Sequence, residues 1–114
     1  MTLQNFLDTL AHSPETIDFN DTMAVIDCHY TFSPCAFRNG QERNEAGQNS
    51  GSCKLFAFAK LNKLKQQHTL DCFGQYYRND VLTKPEGTDH QNIRNFIATG
   101  WDGIHFEDSP LKPI

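Results

Sequence analysis

Apolar residues recur along this chain with two different rhythms, and the rhythm predicts the elements. In TLQNFLDTLAHS the residues Leu3, Phe6, Leu7 and Leu10 fall at i, i+3, i+4 and i+7, which predicts an amphipathic helix. Ser13-Pro14 closes it, and Pro14 fits the first position of a following short helical turn. The stretch DFNDTMAVIDCHY sets Phe19, Met23, Ile26 and Tyr30 along a second helical face, with Asp18 or Asn20 available to cap its first amide hydrogens. From Tyr30 to Phe37 aromatics alternate with small polar residues around Pro34, the pattern of an edge strand or of paired short strands.

Residues 39–52 read NGQERNEAGQNSGS and hold no large apolar side chain, so a long polar loop is expected there. Loops longer than about 12 residues in a compact domain are functional or disordered. The next segment, CKLFAFAKLNKL, carries Leu55, Phe56, Phe58, Leu61 and Leu64 around most of a helix's circumference, so this helix should be central. HTLDCFGQYYRNDVL spaces Leu70, Phe73, Tyr77 and Val81 as a fourth helix, ended at Lys84-Pro85-Glu86-Gly87. Thr88-Asp89-His90-Gln91 reads as a capping box opening a fifth helix with Ile93, Phe96 and Ile97, which should stop at Gly100. A turn at Asp102-Gly103 leads to a short strand around Ile104-His105-Phe106, placed to pair with the strand before Phe37. The sum is a mostly helical α+β fold, about five helices with a small two- or three-stranded antiparallel sheet, as a single domain over residues 1–114.

Composition narrows the function classes. Ten Lys and Arg against fourteen Asp and Glu leave a net charge of −4, which argues against nucleic-acid binding by counterion release and against a polybasic membrane contact. No apolar run approaches the roughly 20 residues of a membrane span, and no segment resembles a signal peptide. Cys28, Cys35, Cys53 and Cys72 form no CxxC pair, so reduced thiols in a reducing cytosol are expected, with Cys28 and Cys72 buried among apolar neighbours. His12, His29, His68, His90 and His105 show no metal-ligand spacing, and only a fold bringing His29 beside His105 would change that. Neither a metal nor a cofactor is expected.

Three blocks, NSGSCKLFAFAKL from Asn49, FGQYYRNDVL from Phe73 and GTDHQNIRNFIATGWDGIHF from Gly87, together with AVIDCHYTFSPCAFRNG upstream, resemble the HopJ type III effector family of bacterial proteins. That family takes its name from a plant-pathogen protein classed among those injected into host cells by type III secretion. The resemblance implies an effector, exported from the bacterial cytoplasm into a host cell and acting on a host or bacterial protein partner. It implies no reaction.

Two helix starts carry the candidate chemistry. At Asn49-Ser50-Gly51-Ser52-Cys53-Lys54, Gly51 permits a tight turn and Ser52 can cap; free first-turn amides beside Lys54 are the means of holding an anion. A serine-capped helix with a surface lysine accounts for the same residues. Cys53 lies in that first turn, where the helix dipole lowers a thiol's pKa. With His90 and either Asp89 or Asn92 it supplies the residue types of a thiol nucleophile, although a buried thiol and a histidine near a helix cap explain them as well. Arg94 lies one turn beyond His90, and Trp101 is either a lid on the core or an exposed anchor. The expected ligand site is therefore Asn49, Gly51, Ser52, Lys54, Arg94 and Trp101. It would lie between the Gly51–Lys54 and Thr88–Arg94 helix starts, and serve a binding protein or, alternatively, a small cytosolic enzyme or anion-binding protein.

Overall fold

The computed structural model describes residues 2–114. Helix α1 (Leu3–His12) begins at Thr2, whose hydroxyl accepts from the Asn5 amide at 3.0 Å, and buries Phe6 and Leu10. Pro14 opens a 3-10 turn over Pro14–Thr16, as its fixed φ favours. Helix α2 (Phe19–His29) is capped at Asp18, whose own amide donates to the Asp21 carboxylate at 3.0 Å. Strand β1 (Tyr30–Phe32) follows at once.

Residues 37–44 depart from the expected loop. Strands β2 (Phe37–Asn39) and β3 (Glu42–Asn44) form an antiparallel hairpin, with Gly40 at φ 65° in the turn. Asn39-Gly40 is a hairpin dipeptide, and this local signal is what an apolar-periodicity reading passes over. Only residues 45–49 remain as a connection before helix α3 (Ser50–Leu61). Helix α3 is central as expected: Leu55, Phe56, Ala57, Phe58 and Ala59 are all buried. It begins at Asn49, so Ser52 sits inside the first turn instead of capping it.

The expected fourth helix is two elements. Helix α4 (Gln66–Asp71) ends before Gly74, which takes φ +62°, and Tyr76–Val81 then winds as a π-helical segment. Gly74 is needed on two counts, because a Cβ there would also lie 2.5 Å from the Phe19 backbone nitrogen. Helix α5 (Gln91–Thr99) starts one turn's fraction later than the Thr88 capping box predicts; His90 takes the cap position and the Gln91 amide group donates to the Thr88 carbonyl. Gly100 stops it as expected, and a 3-10 turn over Gly100–Gly103 leads to β4 (Ile104–Phe106) and β5 (Leu111–Pro113).

Two antiparallel sheets form where one was expected. β1 pairs with β5, Thr31 opposite Lys112, and β2 lies between β3 and β4 in the order β3-β2-β4. β4 pairs with the strand that starts at Phe37, Phe37 facing Phe106, and not with the segment before it. His29 leads into one sheet and His105 lies in the other, so the two are not brought together as strand partners.

Phenylalanines hold the core together. Phe56 meets Phe37, Phe73 and Phe96 at ring-centroid distances of 6.2, 5.5 and 5.0 Å, joining sheet, α4 region and α5 through α3. Phe58 meets Phe6 and Tyr30 edge-on at 5.7 and 5.8 Å, which fastens α1 and β1 to the other side of the same helix. Cys72 is buried as expected, whereas Cys28 is exposed because the buried face of α2 runs through Thr22, Val25 and Ile26.

Candidate functional site

The starts of α3 and α5 flank one cleft of about 350 Å³. Asn49, Gly51 and Ser52 line it from α3, and His90, Gln91 and Asn92 from α5. The aromatic wall is Phe19, Phe73 and Tyr76, and strand β3 adds Glu42 and Asn44.

Local sequence builds each wall. The turn at Gly74 lays the chain against Asp18 and Phe19, so the Phe19 amide donates to Gln75 Oε1 at 2.9 Å. Phe19 then stacks on Phe73 at 6.2 Å and tilts against Tyr76 at 5.1 Å. Gly51 admits the other edge of that ring: a Cβ there would lie 2.9 Å from Phe19 Cζ.

Both helix starts are conformationally unusual. Asn49 and His90 adopt left-handed backbone, φ 50° and 51°, and neither side chain caps its helix. Left-handed backbone costs an L-residue about 1–2 kcal/mol, so surrounding contacts must hold it. Those contacts are visible. His90 Nε2 lies 3.0 Å from Asp80 Oδ2, and since an ionised carboxylate only accepts, Nε2 carries the hydrogen. The imidazole also stacks on Tyr76 at 5.1 Å. The Asn49 amide group donates to Asn44 Oδ1 at 2.6 Å.

Behind the cleft lies a network of buried amides. Asn39 Nδ2 donates to the Asn92 carbonyl and side-chain oxygens at 2.8 and 3.0 Å, while Asn92 Nδ2 donates to Asn44 Oδ1 at 3.1 Å. Asn39 is 0% and Asn44 2% exposed, so these bonds replace water at the hairpin's junction with α5.

The structure separates the expected residues into two groups. Asn49, Gly51, Ser52 and His90 share the cleft. Lys54 does not line it; its ammonium lies 2.9 Å from Asp27 Oδ1 and 5.1 Å from the Phe32 ring centroid. Arg94 clamps the preceding loop, donating to the Asp89 carboxylate and to the Lys84 carbonyl, both at 2.7 Å. That bond holds the Asp89 carboxyl below the usual carboxylate range. Trp101 is half-buried, edge-on to Phe96 at 5.2 Å, and its indole N–H donates to the Leu64 carbonyl, which makes it part of the core's cover.

Cys53 lies in the core and is not among the residues lining the cleft that His90 borders. Burial, and then proximity to Cys35, pushes the Cys53 thiol up to about 12, the reverse of the expected activation. Desolvation outweighs the helix dipole because Cys53 is 2% exposed, in the core and not in the cleft. The carboxylate nearest His90 is Asp80, with Asp89 at 3.9 Å. Among the described residues, no group of three or more His, Cys, Asp or Glu is placed to hold a metal.

Sequence reasoning missed Phe19, Glu42, Asn44, Tyr76 and Asp80 as site residues, and considered Asn92 only as a partner of a thiol nucleophile. Asn44 and Glu42 lay in the supposed loop, where the Asn39-Gly40 signal would have turned them into strand residues. Nothing local marks Asp80 as the partner of His90.

A small α+β fold in which helix starts from distant parts of the chain close one aromatic and amide-lined cleft is thus the class this protein falls in. The sequence model of the HopJ type III effector protein family matches residues 3–111, and the chain belongs to that family. It is similar to a solved chain described as "Crystal structure of unknown function protein VPA0580", at 59% identity and a TM-score of 0.98, over 100% of this chain and 95% of that one. A comparison with curated proteins found no match. Among the described residues no helix is long and apolar enough to cross a membrane.

Proposed function

We propose that this chain acts by binding, as an effector-type protein whose contact point is the cleft between the starts of α3 and α5. The observation that carries this reading is the convergence of Asn49 and His90, two of the three non-glycine residues with positive φ among the described residues, on that one cleft. Backbone held in costly conformations by surrounding contacts concentrates at ligand sites. The aromatic wall and the amide groups facing it match the composition of small-ligand pockets, in which a few polar groups orient a ligand against apolar surface. The ligand is a small molecule or a protruding side chain of a host or bacterial protein partner.

Catalysis has no part in the proposal, since Cys53 is a buried neutral thiol. The anion-binding alternative loses the two cations expected to assist it, because Lys54 and Arg94 are engaged with Asp27 and Asp89. Family membership supports export from the bacterial cytoplasm by type III secretion.

Two measurements test the reading. A fragment screen on 15N-labelled protein should move the amide signals of Gly51, Ser52 and His90 through Asn92 together. Hits clustering instead around Trp101 and Lys60 would remove the cleft from consideration. A tagged copy should lose its extracellular pool when the secretion apparatus is disabled, and an unchanged location would sink the export half.

A further inference from the structure

We propose that Cys35 and Cys53 form an oxidation site: a hydroperoxide joins them in a reversible disulfide that braces one wall of the cleft. The two are neighbours in the fold although 18 apart in sequence. The Cys53 thiol donates to the Cys35 carbonyl at 3.9 Å, and the two thiols also interact side chain to side chain. All four cysteines are free, so neither sulfur is already cross-linked.

The surroundings of the two thiols divide the work between them. Cys35 is half-buried within residues 33–36, the link between β1 and β2, which belongs to no strand and has room to adjust. Its thiol donates to the Asp108 carbonyl at 3.8 Å, a weak bond that oxidation gives up at small cost. Cys53 is 2% exposed, and burial keeps its proton in place, so Cys35 meets the oxidant first. The chemistry balances in two steps. The Cys35 sulfur attacks one peroxide oxygen, the O–O bond breaks, and a sulfenic acid forms as the other oxygen leaves as water with the thiol proton. The Cys53 sulfur then attacks the sulfenic sulfur; the S–O bond breaks, and that oxygen leaves as water with the Cys53 proton. The thiol pair is oxidised by two electrons and the peroxide takes them up.

The position of the bond gives it a consequence. Glu42, Asn44, Asn49, Gly51 and Ser52, which line the cleft, all fall between Cys35 and Cys53 in the chain. Closing that segment into a ring restricts the unfolded chain and ties the first turn of α3 to the β1–β2 link. Cytosolic glutathione keeps such a pair reduced, so the brace marks a chain that has met an oxidant. The disulfide stands independently of the cleft as a ligand site.

The test treats the full chain with excess hydrogen peroxide, alongside Cys28→Ser, which removes an exposed thiol that otherwise links chains to one another. Intact mass should fall by two hydrogens, peptide mapping should join Cys35 to Cys53, and dithiothreitol should reverse both. The oxidised chain should melt about 5–15 °C above the reduced one, and the amide signals of Gly51 and Ser52 should move. Cys35→Ser should abolish every one of these changes. Cys35 lies outside the core cluster, so its variant tests the pairing even if Cys53→Ala perturbs packing. Four thiols still free after the treatment overturn the proposal. So does a sulfinic acid on Cys35 beside a Cys53 that alkylates on unfolding, or a bond from either thiol to Cys28 or Cys72. A Cys35–Cys53 bond that leaves the melting temperature and the Gly51 and Ser52 signals unchanged overturns the brace. None of these results bears on the cleft as a ligand site, which the fragment screen decides.

Discussion

Cys53 shows how a single residue's surroundings reverse the chemistry its position suggests. A thiol in the first turn of a helix is normally activated by the dipole, yet this one is sealed in the core with Cys35 alongside. Its proton is retained from the usual value of 9.0 up to about 12 in the folded chain. Between those values the unfolded chain binds fewer protons than the folded one, so stability falls as pH rises above about 9. The buried Cys72 thiol, also pushed up by desolvation, adds to the same fall. Each thiol contributes a slope approaching about 1.4 kcal/mol per pH unit in that window. Urea unfolding between pH 8 and pH 11 should show this decline, less steep in Cys53→Ala; parallel slopes in the two proteins would contradict the burial argument.

Among the elements, the β2–β3 hairpin and α5 depend on one another through their asparagines. Asn92 accepts from Asn39 and Asn44 and donates to Asn44, all within a buried junction. Removing its side chain leaves the Asn44 amide group without an acceptor and takes one of two bonds from Asn39, which keeps the Asn92 main-chain carbonyl; a buried unsatisfied group costs about 1–3 kcal/mol and each lost bond about 1 kcal/mol. Asn92→Ala is therefore expected to lower unfolding free energy by about 2–4 kcal/mol, read from denaturant midpoints. A change within about 0.5 kcal/mol would show that water substitutes for the amide. The exposed bridge from Arg43 to Glu45 and Glu107, at 3.0 and 2.6 Å, joins the same hairpin to the chain after β4. Glu107 is thus paired with Arg43, although exposed pairs contribute little.

At the scale of the molecule, Phe56 links elements that are remote in sequence. Its ring meets Phe37, Phe73 and Phe96, so its removal opens a cavity shared by the three-stranded sheet, the turn after α4 and α5. Phe56→Ala should cost about 3–5 kcal/mol. Against a total of about 5–15 kcal/mol for a typical domain, that is enough to lower the melting temperature by well over 10 °C. Calorimetry would decide it. A small shift would mean the rings close over the gap.

The chain's own pattern determined the helices and their strongest boundaries. Period-3.6 stripes made α1, α2 and α3 legible, Pro14 and Gly100 marked the ends of α1 and α5 by backbone chemistry, and the all-round apolar surface of α3 announced its central place. The two halves of the site were legible too, because glycine, small polar residues and a break in periodicity identify a helix start locally. Tertiary structure alone decided what those starts do. Whether Lys54 and Arg94 face a ligand or a carboxylate depends on Asp27 and Asp89 being within reach, and side chains that long reach several partners. The split at Gly74, the pairing of His90 with Asp80 and the burial of Asn39 and Asn44 all follow from contacts across the fold. Hydrophobic periodicity reports which residues leave water; it carries no record of which polar groups meet once they have.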